Sequence, residues 1–247
     1  MDAAMDEFLE AVKDAVYDAG GGFMTARATY VGGKEIGLRG FDYYFIARGG
    51  VLGDADPAVI AAALVFFPRA LVEQHWAAGR AVLTPAAGAA HFAEACFAYG
   101  RQSFSSFEGA GRLAALAEKI AAAADPAGMP LFAGWRAMPQ PEDASARVAM
   151  ALNVLREHRG GAHNMAVLVA GLTPLEAIVG SRFGPINAQF FGWPEPYPDP
   201  ASTADRRAEA EKTTNAMIAP AYAVLDAAER AEFVDLCQAA HKLVQGS

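Results

Sequence analysis

Apolar residues recur every three or four positions along most of this chain, the spacing of helices with one buried face. Met5, Phe8, Leu9, Val12 and Val16 predict a helix over 2–19, ended by Gly20-Gly21-Gly22. Residues 23–36 read either as a short strand around Met24 to Val31 or as a helical turn. An aromatic run, GLRGFDYYFIAR, occupies 37–48. Asp56-Pro57 predicts a helix start, because proline at the first helical position forfeits no hydrogen bond. That helix runs to about Phe67, Pro68 restarts it, and a second segment reaches Gly79. Thr84-Pro85 opens a helix to about Tyr99, and residues 109–124 make another.

The stretch 125–143, DPAGMPLFAGWRAMPQPED, is rich in proline and glycine. It reads as an ordered connection, with Leu131, Phe132 and Trp135 expected to pack down. It divides the chain into an N-terminal helical module, 1–124, and a C-terminal helix-turn-helix-like module, 144–247. Val148, Ala151, Leu152 and Leu155 mark the buried stripe of a helix over 144–159. Gly160-Gly161 is expected to break it before a second, largely apolar helix over 162–170. Gly171 caps that helix, and Thr173-Pro174 starts a short one to about Arg182. Five prolines with interleaved aromatics predict a non-helical segment over 183–201. Helix resumes over 203–218, and Asp226 with Glu229 form a cap pair for the last one.

Composition sharpens this picture. With 53% hydrophobic and 19% charged residues, the chain can bury a large core. Abundant alanine, as in Ala61-Ala62-Ala63 and 121–124, favours helix because it sacrifices no side-chain entropy. The net charge of -8, with 28 acidic against 20 basic residues, disfavours general nucleic-acid binding, which needs basic groups to displace phosphate counterions. Cys96 and Cys237 lie in apolar helical patterns and read as buried free thiols. The acidic start at 1–7 is unlike a signal peptide, and no long uncharged apolar window predicts a membrane span. The expected location is the cytoplasm.

Two long runs carry a resemblance. LRGFDYYFIARGGVLGDADPAVIAAALVFFPRALV at 38–72 and LREHRGGAHNMAVLVAGLTPLEAIV at 155–179 resemble the SalK-like and EvbL-like helix-turn-helix proteins common in actinobacteria. Within them the best motif is Arg156-Glu157-His158-Arg159-Gly160 with His163 following. Thr213-Thr214-Asn215 and Pro220-Ala221-Tyr222 are similar to the closing helices of that family. The resemblance implies a mostly helical fold of winged-helix-like, MarR-type modules, and brings no defined activity. The aromatic-proline segment at 183–201 departs from the family pattern near the expected wing.

Three groups of residues are candidates for chemistry. A helical wheel places Arg159 near the middle of the apolar stripe and His158 at its edge. A cation aimed at the core needs a carboxylate partner or a polar pocket, so Arg159 either closes an ion pair or meets an anionic ligand. His158 and His163 flank Gly160-Gly161, at a spacing that matches no standard zinc motif. The second group is aromatic: Tyr43, Tyr44, Phe67 and Trp76 with Arg39 and Arg69 could wall a small-molecule pocket. The third is a helix-turn-helix over 162–182, with Val167, Leu172 and Ile178 at the buried positions. Its second helix offers only Glu176, Ser181 and Arg182 to a base edge, a poor reading surface.

The expected fold is therefore mainly α, two winged-helix-like helical modules with at most a few short strands. The leading functional expectation is a small-molecule-binding protein on a degenerate winged-helix-like scaffold, without strong DNA binding and with a homodimer as one assembly. One alternative is a biosynthetic enzyme or a haem- or metal-binding protein using His158, Arg159 and His163. The other is a DNA-binding regulator. No cofactor is indicated, and no metal site is assigned.

Overall fold

The computed structural model describes residues 2–245. Thirteen α-helices and three short 3₁₀ turns make up the fold, with no strand among the described residues. The first half holds α1 (Ala3–Gly21), α2 (Arg27–Glu35), α3 (Gly40–Arg48), α4 (Pro57–Ala63), α5 (Arg69–Arg80), α6 (Pro85–Ser103) and α7 (Ala110–Ala123). After α8 (Pro130–Arg136) come α9 (Ala144–Val169), α10 (Pro174–Val179), α11 (Gly184–Phe190), α12 (Ala204–Tyr222) and α13 (Ala227–Gln245).

Side-chain caps account for six of the thirteen helix starts. Asp2, Asp56, Thr84 and Asp143 each accept a hydrogen bond from a backbone N–H of the first turn. Thr173 and Glu176 cap α10 reciprocally, and Asp226 and Glu229 exchange backbone hydrogen bonds before α13. The ambiguous stretch at 23–36 is helical: a 3₁₀ turn and then α2.

The central element is α9. It packs against α1, α6, α7 and α8 from earlier in the chain and α12 from later. A continuous core spans these helices and α13, with Leu131, Phe132 and Trp135 of α8 inside it. Two glycines let neighbouring backbones come close. A Cβ on Gly20 of α1 would stand 2.5 Å from the Leu152 carbonyl oxygen, and one on Gly100 of α6 would stand 2.4 Å from that of Ser145. Helix α1 therefore runs through Gly20 instead of ending before it, because these glycines serve interhelical contact.

Two expectations are corrected. Gly160-Gly161 does not break the helix, since α9 is continuous over 26 residues. Gly161 is there for space: a Cβ would stand 2.7 Å from Met129 Cγ at the start of α8. Gly160 faces open space. The segment 183–201 is not wholly non-helical, because Pro185 sits in the first turn of α11, where it breaks no hydrogen bond. Helix α11, with no hairpin, stands where a wing would follow α10.

Those glycines make a paired prediction. Gly160→Ala should raise stability by about 0.5–1 kcal/mol, the helix-propensity gain where nothing obstructs the methyl. Gly161→Ala should lower it by about 1–3 kcal/mol through overpacking against Met129. Urea unfolding of the two variants checks the opposite signs.

Candidate functional site

Three polar residues of α9 share one stripe with a glycine. Arg156, Arg159, Gly160 and His163 recur at i, i+3, i+4 and i+7, which puts them on a single helical face. That face looks into a cavity of about 390 Å³. Phe66 and Phe67 after α4, Met129 and Phe132 at α8, Met165 and Leu168 of α9 and Ile178 of α10 supply apolar wall. Gly160 and Gly161 keep side chains out of it. A second cavity of about 310 Å³ adjoins it, sharing Tyr17, Tyr44, Phe67, Arg156, Asn187 and Phe191 as wall.

Three arginines line the larger cavity, and they are not equivalent. Arg48 of α3 has a partner on each nitrogen: Nε and Nη2 donate to the two oxygens of Glu157, each at 2.9 Å, and Nη1 donates to the Tyr44 hydroxyl at 2.8 Å. Glu157 is 2% exposed and Arg48 13%, so this is a buried ion pair. Burial works to raise the Glu157 carboxyl, but the charge and hydrogen bonds of Arg48, with Arg156 adding, hold it below the ordinary carboxylate range. Arg156 reaches Glu157 through Nη1 alone, at 3.3 Å, and stacks over Tyr17. Arg159 donates through Nη2 to Glu211 of α12 at 2.6 Å. The Nε atoms of both Arg156 and Arg159 are buried with no partner among the described residues. The cavity wall thus carries three arginines against one carboxylate, Glu157, with Glu211 standing behind Arg159.

His163 sits one turn beyond Arg159. Its Nδ1 lies 3.0 Å from Thr214 Oγ1 and 3.8 Å from Glu211. Burial lowers its basicity, the Glu211 carboxylate opposes that, and Arg159 adds to the lowering; the net direction is down.

The structure brings together Tyr44, Phe67, Arg159 and His163 of the nine anticipated residues. Tyr43 is core, its hydroxyl 2.7 Å from His91 Nδ1, and Trp76 is fully buried. Arg39 is exposed beside the start of α3, and Arg69 is an exposed partner of Glu73. His158 lies two positions past Arg156, about 200° around the helix, so it faces the opposite way. Its ring packs on Phe132 at 4.7 Å, and it cannot converge with His163. Among the described residues no group of three potential ligands is placed to hold a metal ion. Sequence reasoning missed Arg48, Arg156 and Glu211. The stripe through Arg156 and His163 would have pointed to Arg156, had the helix not been divided at Gly160.

The cavity borders the helix-turn-helix. The end of α9, a turn at Gly171 (φ +69°), and α10 form the pair, with Val167, Leu172 and Ile178 all buried. Arg206 donates to the Gly171 carbonyl and to Glu176, and Arg207 donates to the Gly180 carbonyl. These features define an all-helical protein with a helix-turn-helix beside a mixed apolar and cationic cavity. The chain belongs to the Helix-turn-helix family, whose model matches residues 5–195. No curated protein and no solved structure matches it. No helix among the described residues is long and apolar enough to cross a membrane.

Two predictions follow from the charges. Arg48→Met strands the buried Glu157 and should cost about 3–5 kcal/mol. Arg159→Met leaves Glu211 able to rehydrate, because that residue is 42% exposed, and should cost about 1 kcal/mol or less. Chemical denaturation compares the two. The second prediction concerns pH. Burial first, then Arg136, lowers the His158 pKa from 6.5 to about 4. Because the folded value is the lower one, the unfolded chain protonates first. Stability is then full above pH 6.5 and falls as pH drops towards 4, by about 3 kcal/mol for a shift of this size. His158→Phe should flatten that part of the pH–stability curve.

Proposed function

We propose that this chain is a small-molecule-binding member of its family, allied to the SalK-like and EvbL-like proteins, whose ligand is an anion with an apolar body. The observation that carries this reading is the pair of under-used arginines. Arg156 and Arg159 each spend one terminal nitrogen on a carboxylate; the other terminal nitrogen, Nη2 of Arg156 and Nη1 of Arg159, has no protein acceptor among the described residues and, unlike the buried Nε atoms, is not sealed off, on the wall of a largely apolar cavity. Guanidinium groups held in low dielectric with spare donors suit a carboxylate, and the phenylalanine and methionine walls suit a hydrocarbon or aromatic body. The volume is within the range of ordinary small-ligand sites.

Strong DNA reading fits this chain less well. Helix α10 has six residues, and the arginines nearest its ends, Arg206 and Arg207, are engaged with backbone carbonyls. Arg182 leans on Phe183 and Asp18. A net charge of -8 adds long-range repulsion from phosphate. In this reading the helix-turn-helix is scaffold for the cavity.

The test uses decanoate, a flexible apolar monocarboxylate. It should raise the thermal midpoint in a concentration-dependent way, by the shift expected of a ligand that binds only the folded state. Arg156→Met should weaken decanoate at least tenfold with the fold intact. A wild-type midpoint indifferent to decanoate, or nanomolar sequence-dependent binding to DNA in a gel shift at physiological salt, would overturn the reading.

A further inference from the structure

His163 carries a feature that an anion site alone does not need. Thr214 Oγ1 donates its hydrogen to the Ala210 carbonyl at 2.7 Å, so towards His163 it can only accept. The 3.0 Å contact is therefore an Nδ1–H donating to Thr214. That bond assigns the neutral tautomer, with the lone pair on Nε2. Nε2 has no hydrogen-bond partner among the described residues, and it is not one of the side-chain atoms sealed off without a partner. It is thus accessible, on a residue that lines the cavity. The imidazole is held from two sides: Thr214 on α12 and the Phe66 ring, 5.9 Å away between centroids.

The cavity therefore presents two unlike demands close together. Arg159 and the Nδ1 edge of His163 approach the two oxygens of the same Glu211 carboxylate, at 2.6 and 3.8 Å, so the guanidinium and the imidazole ring are neighbours. One is a cation wanting an anion, and the other is an acceptor wanting a donor. A simple fatty acid would satisfy the first and, by displacing water, leave Nε2 unpaired. We infer that the ligand is an amphipathic hydroxy acid, its carboxylate on Arg156 and Arg159 and a hydroxyl near that carboxylate donating to Nε2 of His163. This rests on the anion-site reading above and adds that His163 sets specificity. Asn164, Ser181 and Asn187 also line the cavity, so the test must single out the histidine.

The experiment compares decanoate with β-hydroxydecanoate by calorimetric titration near pH 8, where the imidazole is neutral. Wild type should prefer the hydroxy acid about fivefold, the ratio given by one neutral hydrogen bond of typical net strength. His163→Phe should abolish the preference, read as the ratio of the two affinities measured on that same variant. His163→Gln, whose amide oxygen can reach the Nε2 position, should restore part of it. A measurement on the wild type needs no variant to fold: the ¹⁵N resonance of His163 Nε2 should move on adding β-hydroxydecanoate and stay nearly still with decanoate. If decanoate binds and the hydroxyl brings no preference, the inference is overturned and the anion-site reading stands. A preference that survives in His163→Phe overturns the assignment to His163. If neither acid binds wild type, both fall together.

Discussion

Glu157 cannot be buried as an anion without a cation beside it, and this constraint organises the molecule around α9. The cost of removing a carboxylate from water is several kcal/mol, recovered only with close, directional partners. Arg48 supplies both, with two 2.9 Å hydrogen bonds from the last turn of α3. The same guanidinium donates to Tyr44, and the Arg48 carbonyl accepts from Trp135 of α8. One residue thus joins α3, α8 and α9, and the cavity opens beside that junction.

The charge pattern follows. Because Arg48 takes both oxygens of Glu157, Arg156 is left with a single longer contact. Arg159 and Glu211 make a separate pair whose acid is partly in solvent. A wall that would be neutral if every arginine had its own carboxylate is left cationic, inside a cavity otherwise lined mainly by aromatic and aliphatic side chains. The helix-turn-helix contributes its apolar inner face, while its own polar groups are bound up in caps and in Arg206 and Arg207.

Much of the secondary structure is legible without coordinates, because caps and periodicity are local. Asp56-Pro57, Thr84-Pro85 and Thr173-Pro174 each begin a helix where the residue types alone predict it. The buried positions Val167, Leu172 and Ile178, and the burial of Leu131, Phe132 and Trp135, follow from hydrophobic spacing. The mainly helical class follows from alanine content and the 3.6-residue period. Arg159 was also readable, since a cation on an apolar stripe needs a partner.

The glycines were not readable in this way. Local propensity treats Gly160-Gly161 as a break, but the Gly161 position has room only for hydrogen beside Met129, a contact between residues 32 apart. The same reading cut the Arg156–His163 stripe in two and paired His158 with His163, although they point to different sides of α9. That Glu157 meets Arg48, 109 positions away, and that Thr214 fixes the tautomer of His163, depends on how α3 and α12 cross α9. Helix type, caps and buried faces were decided by the sequence through interactions within a turn or two. The ion pairing, the cavity and the free acceptor on His163 were decided by tertiary structure, because burial and partner choice arise only when distant helices meet.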